Sequence, residues 1–377
     1  MRSPAARSRT GGHGLDVDYA IVGGGPAGLA VAIEAARRGR SALVVERRRG
    51  PVDKACGEGI MPAGVARLRA LGVDLQEGCP FAGIRYVDGG VVAEAPFVEG
   101  PGLGVRRVAL SAALQTRADV VGVIRWEAEA GNWDEDVNGI TLSTGRGPIR
   151  ARWLVAADGL HSRVRRAAGF VVTTGGRRFG VRRHYRCPPW TDKVEVHWSD
   201  EAEAYVTPVA PDCVGVAFLS EAGARHAAHL ARFPALAARL GEPVTAAQGA
   251  GPFATHVATR VRGRVLLVGD AAGYLDAITG EGITLALESA EALVEATVAG
   301  RAGDYEAAWR RITRRHLALT GLLLEVARRP WLRRRVVRAL RWSPAGFQGF
   351  LALNSGAWGL GRALPALCGV GAGLVLG

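Results

Sequence analysis

One short glycine-rich segment limits this chain's fold more than any other feature. Gly23-Gly24-Gly25-Pro26-Ala27-Gly28 lies between an apolar strand, Asp18-Tyr19-Ala20-Ile21-Val22, and an alanine-rich helical pattern over residues 29–38. A second apolar run, Ser41-Ala42-Leu43-Val44-Val45, follows and is closed by Glu46. Strand, glycine turn, helix and strand within about 30 residues make a βαβ unit. Both strands are continuous apolar runs, as a parallel sheet covered on both faces requires. At this spacing Gly23 permits the tight turn and Gly25 lets backbone approach a pyrophosphate. Gly28 lets helix and strand pack closely. The N-terminus of the helix that follows turns its free N–H groups toward the phosphates. Glu46 stands where an acid accepts hydrogen bonds from a ribose. The unit predicts dinucleotide binding.

Two later strands have the same character, Arg152-Trp153-Leu154-Val155-Ala156-Ala157 and Arg264-Val265-Leu266-Leu267-Val268, and each runs into a Gly/Asp turn. Between them the pattern changes to alternation, in Lys193-Val194-Glu195-Val196-His197-Trp198 and Glu203-Ala204-Tyr205-Val206-Thr207, and residues 214–219 add a strand. Alternation predicts an antiparallel sheet. The expected fold is therefore α/β: a Rossmann-type domain over residues 15–80, 100–174 and 257–304, with an inserted antiparallel-sheet substrate domain over 81–99 and 175–256. Residues 305–377 read as a helical C-terminal region, and residues 1–14 as a disordered lead-in with no secretory signal.

The net charge of +13 raises nucleic acid, an anionic membrane or an anionic ligand as partners. Only two of the 48 basic residues are lysines, Lys54 and Lys193, so the excess reads mainly as the arginine habit of a GC-rich genome. No basic stripe interleaved with aromatics is present, which argues against nucleic acid. The five cysteines include no C-x-x-C pair and give no metal-site spacing; they predict a reducing, cytoplasmic compartment.

Two further turns carry acids. Asp158-Gly159 ends a strand, with a helix expected near Ser162. Asp270 follows Gly269, and Asp276-Ala277-Ile278-Thr279-Gly280-Glu281-Gly282-Ile283 leads into a helix expected near Gly282. Taken singly, each reads as a turn or a helix cap. An acid at the second can hold a ribityl hydroxyl, and the helix N-terminus there can stabilise negative charge on a reduced ring.

Together, in this order, the three motifs resemble the FAD-dependent oxidoreductases of the aromatic-hydroxylase type, which include single-component monooxygenases, halogenases and geranylgeranyl reductases. The resemblance spans about residues 18–295. It implies FAD held by Gly23, Gly25, Pro26, Ala27, Gly28, Glu46 and Arg47, with NAD(P)H as reductant. It places Asp158 and Gly159 in a motif linked to both cofactors, Asp270 on the ribityl chain, and Gly280, Gly282 and Ile283 beside the isoalloxazine. Arg107-Val108-Ala109-Leu110 is similar to the family's Arg-x-x-Leu helix start, whose Arg approaches FAD. Lys54-Ala55-Cys56-Gly57-Glu58-Gly59 is similar to a loop that crosses near the flavin, implying cofactor contacts from Cys56 and Gly57. Cys56 and Lys54 are the candidate catalytic residues, since a thiol there can donate a proton and an ammonium in an arginine-rich chain stands out. The bland alternative is a structural loop with Cys56 as a small hydrophobe.

Three functions follow. The first is a monooxygenase hydroxylating an apolar or aromatic, natural-product-like molecule. The second is an ene-reductase acting on a lipid or isoprenoid. The third is a flavoprotein acting on a protein or serving as a partner subunit. The halogenase motif Trp-x-Trp-x-Ile-Pro is absent. Geranylgeranyl reductases carry Tyr-x-Trp-x-Phe-Pro where this chain has Tyr205-Val206-Thr207-Pro208. Tyr205, Pro208 and His197 are the expected substrate contacts.

Residues 328–341 predict an amphipathic helix with Leu332, Val336, Ala339 and Leu340 on one face and Arg334, Arg335, Arg338 and Arg341 on the other. The apolar, glycine-rich tail 363–377 is shorter than the roughly 20 residues a bilayer span needs. Two outcomes are open: a helix packed on the FAD domain, or peripheral attachment to an anionic membrane through the apolar face. Sequence leaves the oligomeric state open.

Overall fold

A computed structural model describes residues 15–376. The expected lead-in, residues 1–14, lies outside the described residues.

Five parallel strands run in the order Val265–Leu267, Ile149–Ala156, Leu15–Val22, Ala42–Glu46 and Ile124–Glu127 within an eight-stranded sheet. Register sets Ile21 beside Val44 on one side and Val155 on the other. Because side chains alternate across a strand, Tyr19, Ile21, Val44 and Val155 join one core. Ala20, Leu43, Val45 and Leu154 join a second core on the opposite face. The first core is closed by helices Pro26–Arg37, Arg107–Val120 and Gly282–Val298. Two buried faces explain why these strands read as unbroken apolar runs.

The second sheet has seven strands in the order Gln248–Ala250, Phe179–Arg186, Cys213–Ser220, Ala202–Ala210, Lys193–Trp198, Gly83–Asp88 and Val91–Pro96. It is not wholly antiparallel, as alternation alone suggested. Gly83–Asp88 pairs in parallel with Lys193–Trp198, Tyr86 beside Val196. The Gly83–Pro96 hairpin reaches this edge across a long chain connection, which permits a parallel pairing that a short turn forbids.

Four helices finish the chain: Asp304–Ala327, Pro330–Trp342, Pro344–Ser355 and Leu360–Leu376. The apolar face of Pro330–Trp342 is neither free for a lipid surface nor packed on the Rossmann sheet. Val336, Val337 and Leu340 enter a core with Ile84, Tyr86, Val194 and Val196 of the second sheet and Phe347 of the next helix. Arg333, within the same helix, is also buried and binds Asp88 at 2.8 Å. The apolar tail belongs to helix Leu360–Leu376, which lies so close to Pro344–Ser355 that a Cβ on Gly346 would stand 2.4 Å from Val370. Among the described residues, no helix is long and apolar enough to cross a membrane.

A buried ion triad ties the second sheet to the turn segment of the first domain. Arg178 donates from Nε to Asp276 at 2.9 Å and from both terminal nitrogens to Glu203 at 3.0 Å, and all three side chains are buried. Removing the cation leaves two carboxylates with no counter-charge in a dry site. Arg178→Ala is therefore expected to lose about 3–5 kcal/mol of stability, read by urea unfolding. Arg178→Met with Glu203→Gln and Asp276→Asn together should recover a large part of that loss.

Candidate active site

A cavity of about 1220 Å³ opens between the two sheets. One end is walled by the glycine turn. A Cβ on Gly28 would stand 2.0 Å from the Gly23 carbonyl oxygen, and one on Gly23 would stand 2.4 Å from that of Ala157. These two glycines let helix, turn and strand meet. Gly25 differs, because its nearest neighbour, Arg107 Nη2, would lie 3.7 Å away. Its backbone is bare toward the cavity, and no side chain caps the helix that follows. Unpaired helix N–H groups at a bare turn make an anion site.

Glu46 sits beside the turn. Its Oε2 accepts from Gly24 N at 2.8 Å and its Oε1 from Arg48 N at 3.0 Å, which fixes the carboxylate at the cavity rim. Arg47 lines the cavity next to it. Arg107, at the start of its helix, faces Gly25, and its Nε is buried without a partner. Asp158 caps helix Arg163–Ala167, accepting from Arg163 N at 2.7 Å and Val164 N at 3.2 Å. Its Oδ1 is buried and unpartnered. Orphaned buried polar atoms cost free energy unless a ligand or water meets them.

Lys54 and Asp270 both line the cavity and act on each other electrostatically. Both are open to the cavity but ringed by protein, so burial depresses the Lys54 ammonium pKa while Asp270 opposes that shift. Burial likewise raises the Asp270 carboxyl pKa, with Lys54, Arg107 and Arg165 pulling it back. Gly159, Gly280, Gly282 and Ile283 also line the cavity, and Gly282 starts helix Gly282–Val298.

The loop carrying Lys54, Cys56 and Gly57 is held by three residues outside the expected site set. Glu58, Arg182 and His184 are all buried. Glu58 Oε2 meets His184 Nε2 at 2.6 Å, and its Oε1 accepts from Arg107 N at 2.8 Å. Arg182 Nη2 pairs with Asp53 at 2.5 Å and donates to the Lys54 carbonyl at 3.2 Å. Thr207 Oγ1 donates to the Gly57 carbonyl at 2.8 Å. Glu58 is held at φ +60, a left-handed conformation a non-glycine residue rarely adopts unless its surroundings impose it. Burial pushes the Cys56 thiol pKa up, with Arg107 and Arg182 opposing, so the sulfur keeps its proton.

Of the expected substrate contacts, Tyr205 lines the cavity, its hydroxyl donating to Glu203 at 3.0 Å. His197 and Pro208 do not line it. Val194 and Val196 face the cavity, so strand alternation sends His197 to the other side, where its Nε2 lies 2.9 Å from Glu195 Oε2. Tyr205 and Thr207 face the cavity in the same way and exclude Pro208, whose carbonyl abuts Gly104. Glu281 belongs to the Asp276–Ile283 motif but lies outside the expected site residues. It lines the cavity, buried, with Asn354 Nδ2 donating to it at 3.4 Å.

A bare glycine turn, a rim carboxylate and two orphaned polar atoms in one long cavity fit a dinucleotide. A family model described as FAD binding domain matches residues 16–80 and 109–304. The chain belongs to this FAD-binding family. It is an FAD-dependent oxidoreductase with FAD as its cofactor. Menaquinone reductase from Mycolicibacterium smegmatis is 28% identical over 336 residues, 80% of this chain and 81% of that one. The chloroplastic geranylgeranyl diphosphate reductase of Oryza sativa is 30% identical over 342 residues, covering 81% and 71%. Para-nitrophenol 4-monooxygenase from a Pseudomonas species is 28% identical over 318 residues, covering 74% and 77%. Among solved structures, a flavoprotein/dehydrogenase from Cytophaga hutchinsonii superposes with a TM-score of 0.79 at 19% identity, covering 90% of this chain and 93% of that one.

Two outcomes test this geometry. Gly25→Ala should fold, with an apoprotein melting curve like that of wild-type apoprotein, yet lose most of its FAD on gel filtration, because the added methyl group stands only where a phosphate would approach. Gly28→Ala should fail to fold, since its Cβ meets a backbone oxygen. A Gly25→Ala protein that keeps its FAD would remove the turn from cofactor binding.

Burial pushes the Glu281 carboxyl up to about 8, with Thr284 opposing and Glu288 and Glu99 reinforcing. The folded chain therefore keeps a proton that the unfolded chain releases near its ordinary carboxylate pKa. Stability is expected to fall as pH rises from the unfolded value toward about 8, at no more than about 1.4 kcal/mol per pH unit from this group. Urea unfolding across that window should show a shallower slope in Glu281→Gln. Identical slopes would mean that Glu281 is ionised in the fold.

Proposed function

We propose that this FAD-dependent oxidoreductase is a monooxygenase that hydroxylates a lipophilic, aromatic molecule with NAD(P)H as reductant. The observation that carries the reading is the apolar part of the cavity lining. Besides the glycine turn and its polar neighbours, the walls include the apolar and aromatic side chains of Tyr86, Phe97, Leu219, Phe253, Leu323 and Phe350. Its volume exceeds the roughly 300–1,000 Å³ of an ordinary small-molecule pocket, leaving room for a second ligand beside a cofactor. The similarity to para-nitrophenol 4-monooxygenase supports the same reading.

In this proposal the glycine turn and the N-terminus of helix Pro26–Arg37 hold the pyrophosphate, Glu46 the adenosine ribose and Asp270 the ribityl chain. Gly280, Gly282 and Ile283 lie beside the ring. Bound FAD supplies the redox chemistry, carrying electrons from NAD(P)H to oxygen. The chain positions the substrate and excludes water. The Lys54 and Arg107 cations stabilise negative charge arising near the ring. The loop clamp of Glu58, His184 and Arg182 fixes where Lys54 and Cys56 point.

A second reading, reduction of an isoprenoid double bond, is favoured by a particular group. Cys56 is a protonated thiol on the cavity wall, able to give a proton to carbon as hydride arrives at its neighbour. The similarity to a menaquinone reductase and to a geranylgeranyl diphosphate reductase supports this second reading. Product mass separates the two. Incubation with NAD(P)H, oxygen and long-chain phenols is expected to add one oxygen atom; prenyl substrates gaining two hydrogens under anaerobic conditions would overturn the monooxygenase. Cys56→Ser should leave hydroxylation within a few-fold of wild type, whereas a reductase would lose about 10²-fold or more.

A further inference from the structure

The helix Pro330–Trp342 buries its apolar face in the protein, and its outward face carries something the amphipathic pattern did not predict. Trp331 and Trp342, at its two ends, are 62% and 81% exposed. At 3.6 residues per turn Trp331, Arg335, Arg338 and Trp342 fall on one line, with Arg334 and Arg341 flanking it. The four arginines are exposed. Residues 328–341 hold seven arginines and no acidic residue. Exposed tryptophans bracketing a row of arginines are an unfavourable surface to leave in water. They match a membrane interface, where indole rings sit at headgroup level and guanidinium groups meet lipid phosphate.

Beneath this ridge lies a second cavity, of about 320 Å³, lined by Arg333, Arg334 and Arg338, by Asp88 and Asp200, and by Trp198. Arg333 binds Asp88 at 2.8 Å and Asp200 at 2.9 Å, and Arg334 binds Asp200 at 3.1 Å. Two guanidinium groups, Arg333 and Arg334, thus take up both carboxylates. Arg338 has no ion pair among the described residues, so the notch carries unneutralised positive charge. The indole Nε1 of Trp198 in its wall is buried with no acceptor.

We propose that this ridge and notch dock the protein on an anionic phospholipid bilayer, with the tryptophans at headgroup depth and a headgroup phosphate taken beside Arg338. The surface stands on charge and shape alone, and does not depend on whether the enzyme hydroxylates or reduces. Docking here brings lipid against the flanking helices Asp304–Ala327 and Pro344–Ser355, which supply Leu323 and Phe350 to the apolar lining of the large cavity.

The test is flotation of the FAD-loaded protein with vesicles of phosphatidylcholine alone or mixed with phosphatidylglycerol. Binding is expected only to the mixed vesicles at low salt, and salt should release it. Brominated lipid should quench fluorescence in wild type, with the quench lost in Trp331→Ala/Trp342→Ala. Arg338→Glu/Arg341→Glu is expected to weaken binding by at least about tenfold. Arg338→Gln/Arg341→Gln, which adds no like charge to the notch, should weaken it less. Unaltered melting and FAD retention in the variants would show that only the surface changed. Excess glycerophosphate that displaces the protein completely would mean a free-phosphate site and overturn the docking. Equal binding to neutral vesicles, wild-type binding by both arginine variants, or tighter retention by RNA than by vesicles would each overturn it too.

Discussion

The structure depends on one close approach. Helix Pro26–Arg37 reaches the first strand only because Gly28 offers no Cβ to the Gly23 carbonyl oxygen, which would stand 2.0 Å away. That contact aims the helix N-terminus into the large cavity. It also sets Gly25 bare at the rim and brings Glu46, on the neighbouring strand, within 2.8 Å of Gly24 N. Arg107, Asp158 and Asp270 reach the same space from three other elements because their strands and helices pack around this one unit.

The second organising device is polar and buried. Arg182 and His184 lie on a strand of the second sheet, while Asp53 and Glu58 lie on the loop that follows the βαβ unit. Together they lock a left-handed Glu58 and hold Lys54 and Cys56 against the cavity. Such a network is costly when half satisfied and rigid when complete. Arg178 repeats the principle, joining Glu203 of the sheet to Asp276 on the approach to the Gly280–Ile283 turn. The loops that line the cavity are thus fixed by ion pairs to the second sheet.

The C-terminal helices do two jobs at once. Their inner faces complete the apolar core over the second sheet and add Leu323, Phe350 and Leu351 to the wall of the cavity. The outer face of Pro330–Trp342 gathers arginines and two tryptophans over a charged notch. Periodicity identified the helix and its apolar face but not the second-sheet core that covers it, because a moment shows that one face must be covered and is silent about what covers it.

By itself the sequence determined the parts whose physics is local. The glycine turn, the acid that closes the second strand, the Asp158 cap with its Ser162 helix start, and the helix beginning at Gly282 are each set by spacing and turn chemistry within a few residues. Their joint order was enough to recognise the family. Tertiary structure alone decided which side chains meet. Strand parity turned His197 and Pro208 away from the cavity, and a pairing between chain-distant strands set Gly83–Asp88 parallel to Lys193–Trp198. Glu58 found His184 across 126 positions of sequence. Glu281 became a proton-holding acid only because packing removed it from water. Burial and long-range pairing depend on how separate segments fold against one another, and neither leaves a local mark in the sequence.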